Sequence, residues 1–203
     1  MNQSIKSPKA FISCSLRAED KAFIDWIVRL TKLFGFSPFG TIGKYSAAPK
    51  PLYQQMKEGI EEADCLILIA TPRYVQEDLH TKVNTGHGIS EMLHVEVGMA
   101  VASGKPVLVF VQKGTNVGTF VPNLVQYIEI DVYNQEDIQK KWPLIVNYFR
   151  SALSIITSNW EKAKNKETMK MLQGILAVIG GAAILNSIFT NDQDDDYDYY
   201  EDD

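Results

Sequence analysis

The stretch DCLILIAT, residues 64–71, decides the fold of this chain. It places six apolar residues in a row between an aspartate and a threonine. A short run of this kind predicts a strand that is buried on both faces, which is typical of the centre of a parallel sheet. Parallel strands need crossover connections, usually helices, so the flanking sequence should alternate between strands and helices.

The flanking sequence alternates in this way over the first 150 residues. Phe23, Ile27, Leu30 and Phe34 recur at helical spacing, and this pattern ends at Gly35. The other predicted elements are strands at 9–15 and 35–40, helices at 52–63 and 90–100, strands at 104–111 and 127–132, and a closing helix at 136–157. Together they predict an α/β, flavodoxin-like, doubly wound five-stranded parallel sheet in the order 2-1-3-4-5.

The predicted elements are joined by two long connections, and the closing helix contains a proline. Residues 41–51, TIGKYSAAPKP, contain two prolines and predict a loop, and residues 72–89 predict a long polar connection. Pro143 is expected in the first turn of the closing helix or at a kink. In this fold, ligands bind beyond the carboxyl ends of strands one and three, near both connections.

The charge of the chain is unevenly distributed. The formal net charge is −5, but residues 190–203 hold eight acidic residues and no lysine or arginine. The remainder has 20 basic and 17 acidic residues, the 25 acids of the whole chain less those eight. Such a weakly charged body excludes a strongly basic nucleic-acid binder and is compatible with a small anionic ligand. The acidic tail is predicted to be disordered.

The segment 171–189 is uncharged over its 19 residues, with lysines before it and acids after it. It predicts a hydrophobic helix that is either a membrane anchor or an assembly helix, because its uninterrupted apolar core, 174–185, spans only twelve residues. The predicted organisation is a domain at 9–157, a Lys-rich linker at 158–170, this helix at 171–189 and the acidic tail at 190–203.

The two cysteines suggest a reducing compartment. Cys14 and Cys65 both lie in apolar strand-like runs, and no Cys-x-x-Cys pair occurs. The opening MNQSIKSPK lacks the apolar segment of a signal peptide. We therefore expect a cytoplasmic protein with buried, structural thiols, membrane-anchored only if the segment 171–189 inserts.

One carboxylate lies inside an apolar helical stretch. Residues 90–100, SEMLHVEVGMA, are apolar on nearly every side, with Ser90 as the expected N-cap and Glu96 in the middle. A buried carboxylate is costly unless it is paired, hydrogen-bonded or protonated. Glu96 is therefore either a structural group tied to Arg17 or to backbone N–H groups, or a functional group that faces a pocket.

Three stretches together resemble a TIR (Toll/interleukin-1 receptor) domain, over roughly residues 9–150. In KAFISCSLRAEDKAFIDWIVRLTKLFGFSPF (9–39), a strand ending in Ser-x-Ser and an acidic Glu-Asp pair precede the first helix. PLYQQMKEGIEEADCLILIATPRYV (51–75) ends in a Thr-Pro-x-Tyr turn. EMLHVEVGMAVASGKPVLVFV (91–111) is similar to the segment that holds the catalytic glutamate of TIR NAD⁺ glycohydrolases, and that position falls on Glu96.

The chain departs from the TIR pattern at three places. The loop after strand two has Gly40, Lys44 and Lys50 where many TIR domains carry an acidic residue. Cys14 stands in strand one where an aromatic residue is common. Residues 76–89 replace a shorter, Trp-containing approach to the glutamate helix. These departures affect the placement of a substrate more than they affect the fold.

A second family shows a weaker similarity. Nucleoside 2-deoxyribosyltransferases share the sheet and a run much like EVGMAVASGKP at 96–106, and they also use a glutamate at the sugar. The FISCS opening and the Thr-Pro-x-Tyr turn favour the TIR resemblance. Under either resemblance Glu96 would act on an N-glycosidic bond.

The TIR resemblance implies an NAD⁺ glycohydrolase that cleaves the nicotinamide–ribose bond, with NAD⁺ as substrate and no cofactor. It also implies activation by self-assembly into a homo-oligomer through TIR–TIR contacts, in microbial antiphage defence. The alternatives are a non-enzymatic TIR interaction module and a deoxyribosyltransferase-like enzyme. The expected substrate-binding residues are Ser13, Ser15, Arg17, Phe39, Lys44, Tyr45 and Lys50.

Metal binding is not predicted. His80, His87 and His94 do not follow a known ligand spacing, and the glycines flanking His87 disfavour a shared helical face. A nucleophilic Cys14 paired with His94 is an alternative to the buried structural cysteine.

Overall fold

The computed structural model describes residues 7–40 and 49–162. Within them the strands are β1 (Lys9–Ser13), β2 (Ser37–Gly40), β3 (Cys65–Ala70), β4 (Tyr74–Glu77), β5 (Asn84–Gly88), β6 (Val107–Gln112), β7 (Thr115–Asn116) and β8 (Tyr127–Ile130). The helices are α1 (Lys21–Leu33), α2 (Leu52–Glu62), α3 (Glu91–Ala102), α4 (Phe120–Leu124) and α5 (Gln135–Lys162), and a 3₁₀ turn, Ala18–Asp20, precedes α1.

The main sheet has five parallel strands in the order β2-β1-β3-β6-β8. This is the predicted 2-1-3-4-5 order when the strands of this sheet are counted along the chain, so the α/β fold class is confirmed. All six residues of β3 are buried at its centre. The strand order reverses between β1 and β3, and this reversal places a crevice at their carboxyl ends.

Two hydrophobic cores, one on each face of the main sheet, hold the helices. Because side chains alternate along a strand, Ile12, Ile67 and Phe110 join the core formed with α1 and α5. Leu66 and Leu68 join the other core, which is formed with α2 and α3. Helix α3 thus lies against the sheet on the same face as α2, with its first turn near the crevice.

Helix α3 is buried on one side only, although its sequence lacks a polar face. Leu93, Val97 and Ala100 are buried, whereas Val95 is 44% exposed. The apolar composition of α3 therefore does not bury it all round, because α3 packs on the sheet as an outer layer. Ser90 occupies the predicted N-cap position, but its side chain makes no capping hydrogen bond.

The connection at 72–89 contains secondary structure that its sequence does not suggest. Strands β4 and β5 form an antiparallel hairpin, and β5 pairs in parallel with β7 to complete a second, three-stranded sheet. The Asn116 side chain donates a hydrogen bond of 2.9 Å to the side-chain oxygen Oε1 of Gln76 across this sheet. The glycines of β5 hide the strand pattern, and the pairing with β7 depends on a distant part of the chain.

Helix α5 is longer than the predicted helix at 136–157, because it continues to Lys162, the last described residue. Pro143 lies in its interior rather than in its first turn. Near the end of the helix, the Trp160 Nε1–H donates a hydrogen bond of 2.9 Å to Asp64, the residue that precedes β3. The tryptophan therefore fixes the last turns of α5 against the main sheet.

Several predictions fall on residues beyond this description. The loop residues 41–48, the hydrophobic segment 171–189 and the acidic tail 190–203 lie outside the described residues. In the part of the chain that is described, no helix combines the length and apolar character that crossing a bilayer requires.

Candidate active site

A cavity of about 500 Å³ lies at the carboxyl ends of β1 and β3. Its wall comes from the end of β1 and the loop that follows, the start of α2, the loop after β3 and the first turns of α3. Among the predicted site residues, this cavity brings together Ser13, Ser15, Arg17 and Glu96. The crevice expected from the strand order is therefore lined by polar side chains from separate parts of the sequence.

The central contact of the cavity joins Glu96 to Ser13. Ser13 is the last residue of β1 and is 2% exposed, and Glu96, on α3, is 8% exposed. The Ser13 hydroxyl donates a hydrogen bond to Glu96 Oε2. Within residues 7–40 and 49–162, no cation forms an ion pair with Glu96, so the structural alternative of a pairing with Arg17 is not realised.

Burial sets the protonation of this carboxyl group. Loss of hydration disfavours the ionised form and raises the pKa of Glu96 to about 7, against an ordinary value of 4.5. The hydrogen bond from Ser13 acts in the opposite direction, because it stabilises the carboxylate. Near neutral pH, Glu96 therefore populates both its ionised and its protonated form, as acid–base groups in active sites commonly do.

Arg17 lies on the cavity wall, but acidic neighbours offset its charge. Its guanidinium is 3.0 Å from Asp20 and 3.3 Å from Glu19. It also donates a hydrogen bond to the carbonyl oxygen of Pro72. Arg17 therefore ties the loop after β1 to the loop after β3, and a substrate anion would have to compete with two carboxylates for it.

Only one of the other predicted substrate-binding residues that the structure describes lines the cavity. Ser15 lines the cavity, and its hydroxyl oxygen accepts a hydrogen bond of 3.2 Å from the Arg17 backbone N–H. Phe39 does not line it, because its ring packs edge-on against Phe11. Lys50 is likewise elsewhere, 2.8 Å from Glu58. Lys44 and Tyr45 lie outside the described residues.

The structure adds Arg73 to the predicted site. Arg73 follows β3, lines the cavity and is exposed. Its backbone N–H donates a hydrogen bond of 2.7 Å to the Gly88 carbonyl, which holds it at the start of the hairpin. In the sequence, its place directly after the Thr-Pro of the turn favours packing within the loop, with a pocket wall as the alternative.

Among the described residues, the candidate thiol of Cys14 and the candidate imidazole of His94 have different surroundings. Cys14 is half-buried on the cavity wall, whereas the fully buried Cys65 has a raised pKa because burial disfavours its thiolate. The His94 ring packs edge-on against Phe120. Over the described ranges, no group of three or more His, Cys, Asp or Glu residues could hold a metal ion.

Comparisons with known proteins assign no family. Neither a protein-family model nor a curated protein matches the sequence. A Clostridium botulinum CMP N-glycosidase, BcmB, is a similar solved structure, with 16% identity and a TM-score of 0.41; the match covers 67% of this chain and 98% of the other. A conserved protein from Enterococcus faecalis V583 is also similar, with 12% identity and a TM-score of 0.43; the match covers 67% of this chain and 99% of the other.

The TIR domains of the activated Roq1 resistosome, which recognises the effector XopQ, are also similar in structure. They have 10% identity, coverage of 85% of this chain and 84% of the other, and a TM-score of 0.37. At these identities and TM-scores, none of the three similarities assigns an activity to this chain.

Proposed function

We propose that this protein is an N-glycohydrolase that cleaves the nicotinamide–ribose bond of NAD⁺, with Glu96 as the catalytic carboxylate. The observation that carries the proposal is the environment of Glu96. Its carboxyl group is buried on the wall of the crevice between β1 and β3, and it has a serine, not a cation, as its hydrogen-bond partner. A structural carboxylate would be expected to have a compensating charge at this depth.

The reaction needs little from the protein besides this group. When the C1′–N bond breaks, its electron pair moves to the ring nitrogen and neutralises the pyridinium, so nicotinamide leaves without a general acid. Positive charge develops on C1′ and the ring oxygen of the ribose. A fixed carboxylate beside the sugar stabilises that charge. Water then adds to C1′ and releases a proton, which gives ADP-ribose.

The surroundings of Glu96 support this role. The Ser13 hydroxyl holds the carboxylate in one orientation, and β1 fixes the serine at the carboxyl end of this inner strand. Electrostatic stabilisation is strongest where water is excluded, because a low-dielectric site screens the charges weakly. The burial that makes the carboxylate costly to keep is therefore the condition that makes it effective.

A second enzymatic candidate is favoured by the pKa of Glu96. An enzyme that releases a neutral nucleobase must protonate the base as it leaves, as a nucleotide N-glycosidase or a deoxyribosyltransferase-like enzyme would. With a pKa of about 7, Glu96 keeps a protonated fraction at neutral pH and could act as that acid. The non-enzymatic alternative, an interaction module, assigns no chemistry to Glu96.

A substrate panel separates these candidates. Purified protein is incubated with NAD⁺, CMP or a deoxynucleoside, and the released nicotinamide or base is measured by chromatography. We expect release from NAD⁺, and we expect Glu96→Gln to abolish it. Glu91→Gln, at the exposed start of the same helix, is the matched control and should retain activity. Cleavage of CMP or the deoxynucleoside alone would select the second candidate, and an active Glu96→Gln variant would refute both.

A further inference from the structure

Two arginines line the cavity, and they differ in how their charge is compensated. Arg17 is held by Asp20 and Glu19. None of the ion pairs among residues 7–40 and 49–162 includes Arg73. Among the described lining residues, Arg73 is thus the positive charge that no ion pair compensates.

We propose that Arg73 binds a phosphate group of the substrate, so that the cavity selects 5′-phosphorylated nucleotides over the corresponding nucleosides. This inference rests on the proposed function, because it assumes that the scissile N-glycosidic bond lies at Glu96. An anionic substrate is repelled by the carboxylate that its sugar must approach. A cation elsewhere on the same wall offsets that repulsion and fixes which end of the substrate reaches Glu96.

The position of Arg73 suits this role better than that of Arg17. A guanidinium matches a phosphate with two parallel hydrogen bonds, provided that its donors are available. Those of Arg17 already contact Asp20 and the Pro72 carbonyl. In the described part of the chain, the exposed Arg73 side chain meets no such competition, while its main chain is fixed by the hydrogen bond to Gly88.

The test compares three substrates with the same scissile bond: NAD⁺, nicotinamide mononucleotide and nicotinamide riboside, which lacks phosphate. We expect Arg73→Gln to lower kcat/KM for both phosphorylated substrates about tenfold or more, as loss of a charge-assisted hydrogen bond predicts. Cleavage of the riboside should stay within about twofold of wild type. Arg29→Gln, an exposed arginine on α1 away from the cavity, is the matched control and should change none of the three.

A binding measurement separates failure of this inference from failure of the proposed function. Titration calorimetry with ADP-ribose needs no turnover, and Arg73→Gln should weaken its binding about tenfold. If wild type cleaves no substrate but binds ADP-ribose through Arg73, the proposed function falls and the phosphate site stands. If Arg73→Gln affects the riboside as much as NAD⁺, or leaves ADP-ribose binding unchanged, the assignment of Arg73 is overturned. Failure of wild type to bind ADP-ribose overturns it as well.

Discussion

Glu96 and Ser13 form a buried pair in which the acid is kept partly protonated by its surroundings and partly ionised by the serine. The two influences are separable by mutation, because one arises from burial and the other from a single hydroxyl group. The effect of burial should appear in how the stability of the fold changes with pH. The effect of the Ser13 hydroxyl should appear in how activity changes with pH.

Replacing Glu96 by glutamine should raise stability at alkaline pH. The pKa of Glu96 is 4.5 in the unfolded state and about 7 in the folded state. Between these pH values the folded state binds more protons at Glu96 than the unfolded state does, so wild-type stability falls as pH rises. The neutral amide does not titrate. We therefore expect the free energy of unfolding of Glu96→Gln, relative to wild type, to increase by about 3 kcal/mol between about pH 4 and pH 8.

Urea unfolding at several pH values measures this difference, with Glu91→Gln as the exposed control. A stability difference that does not change with pH would show that burial does not raise the pKa of Glu96. A glutamine variant that is less stable than wild type at neutral pH would indicate a structural ion partner instead, since unpairing a buried charge costs about 3–5 kcal/mol.

Replacing Ser13 by alanine should shift the pH profile of NAD⁺ cleavage. If the carboxylate form of Glu96 is the active form, kcat/KM rises with pH through the pKa of the free enzyme, near 7. Alanine removes the hydrogen bond that favours ionisation, so the midpoint should move to higher pH. Ser15→Ala is the matched control, because Ser15 lines the same cavity and its hydroxyl pairs with the Arg17 backbone instead.

The direction of the pH profile also tests the chemistry. Activity that falls as pH rises through 7 would make Glu96 a general acid and favour the neutral-base candidate. A profile that is identical in wild type and Ser13→Ala would contradict any role of Ser13 in setting the charge of Glu96.

At the level of elements, two helical glycines have opposite environments. A Cβ atom added to Gly59, on α2, would overlap the ring of Phe11, a buried residue of β1. A Cβ atom added to Gly98, on α3, would lie 3.7 Å from Phe120, at ordinary van der Waals distance. Gly59 allows α2 to approach the sheet closely. No close contact requires a glycine at position 98 of α3.

We therefore expect Gly59→Ala to destabilise the protein by about 1–3 kcal/mol through overpacking. Gly98→Ala should stabilise it by about 0.5–1 kcal/mol, because alanine loses less backbone entropy in a helix than glycine does. Thermal unfolding of the two variants beside wild type measures both effects. Equal shifts of the same sign would mean that the contact of Phe11 with α2 does not limit their packing.

The sequence identified the elements whose signals are local. The six apolar residues of β3 and the spacing of Phe23, Ile27 and Leu30 in α1 depend only on nearby residues, so these elements were predicted correctly. The hairpin of β4 and β5 depends on its pairing with β7 and was missed. The extension of α5 beyond residue 157 was also missed, because a hydrogen bond to the distant Asp64 anchors Trp160.

The same distinction applies to the candidate site. Glu96 can be identified from the sequence because a carboxylate is unusual in an apolar helix, and the structure places it beside Ser13. Phe39 and Lys50 have suitable chemistry, but local partners hold them away from the cavity. The sequence of the turn favours loop packing for Arg73, whereas the fold places it on the cavity wall and outside the ion pairs of the described residues.

For the molecule as a whole, we propose that activity depends on self-assembly of the chain. The motivation is the uncharged segment 171–189, preceded by lysines and followed by acids. Full-length protein should sediment with membranes or as large oligomers, and a chain ending at Thr168 should remain a soluble monomer. Specific activity of the full-length protein should fall on about hundredfold dilution, because mass action dissociates the assembly.

Sedimentation velocity and a dilution series of the NAD⁺ assay measure the two effects. The shortened chain is the control for both, since it keeps all the described residues and lacks only the hydrophobic and acidic segments. If both chains sediment as the same monomer, and activity per molecule is constant on dilution, the protein acts alone.

The anchoring of α5 gives the protein two opposite poles. Trp160 holds the last turns of this helix beside Asp64, at the amino end of β3, whereas Glu96 and Arg73 lie beyond the carboxyl end of that strand. The last described turn of α5, up to Lys162, therefore lies on the side of the sheet remote from the cavity. A label attached at the exposed Lys162 would therefore leave the mouth of the cavity open.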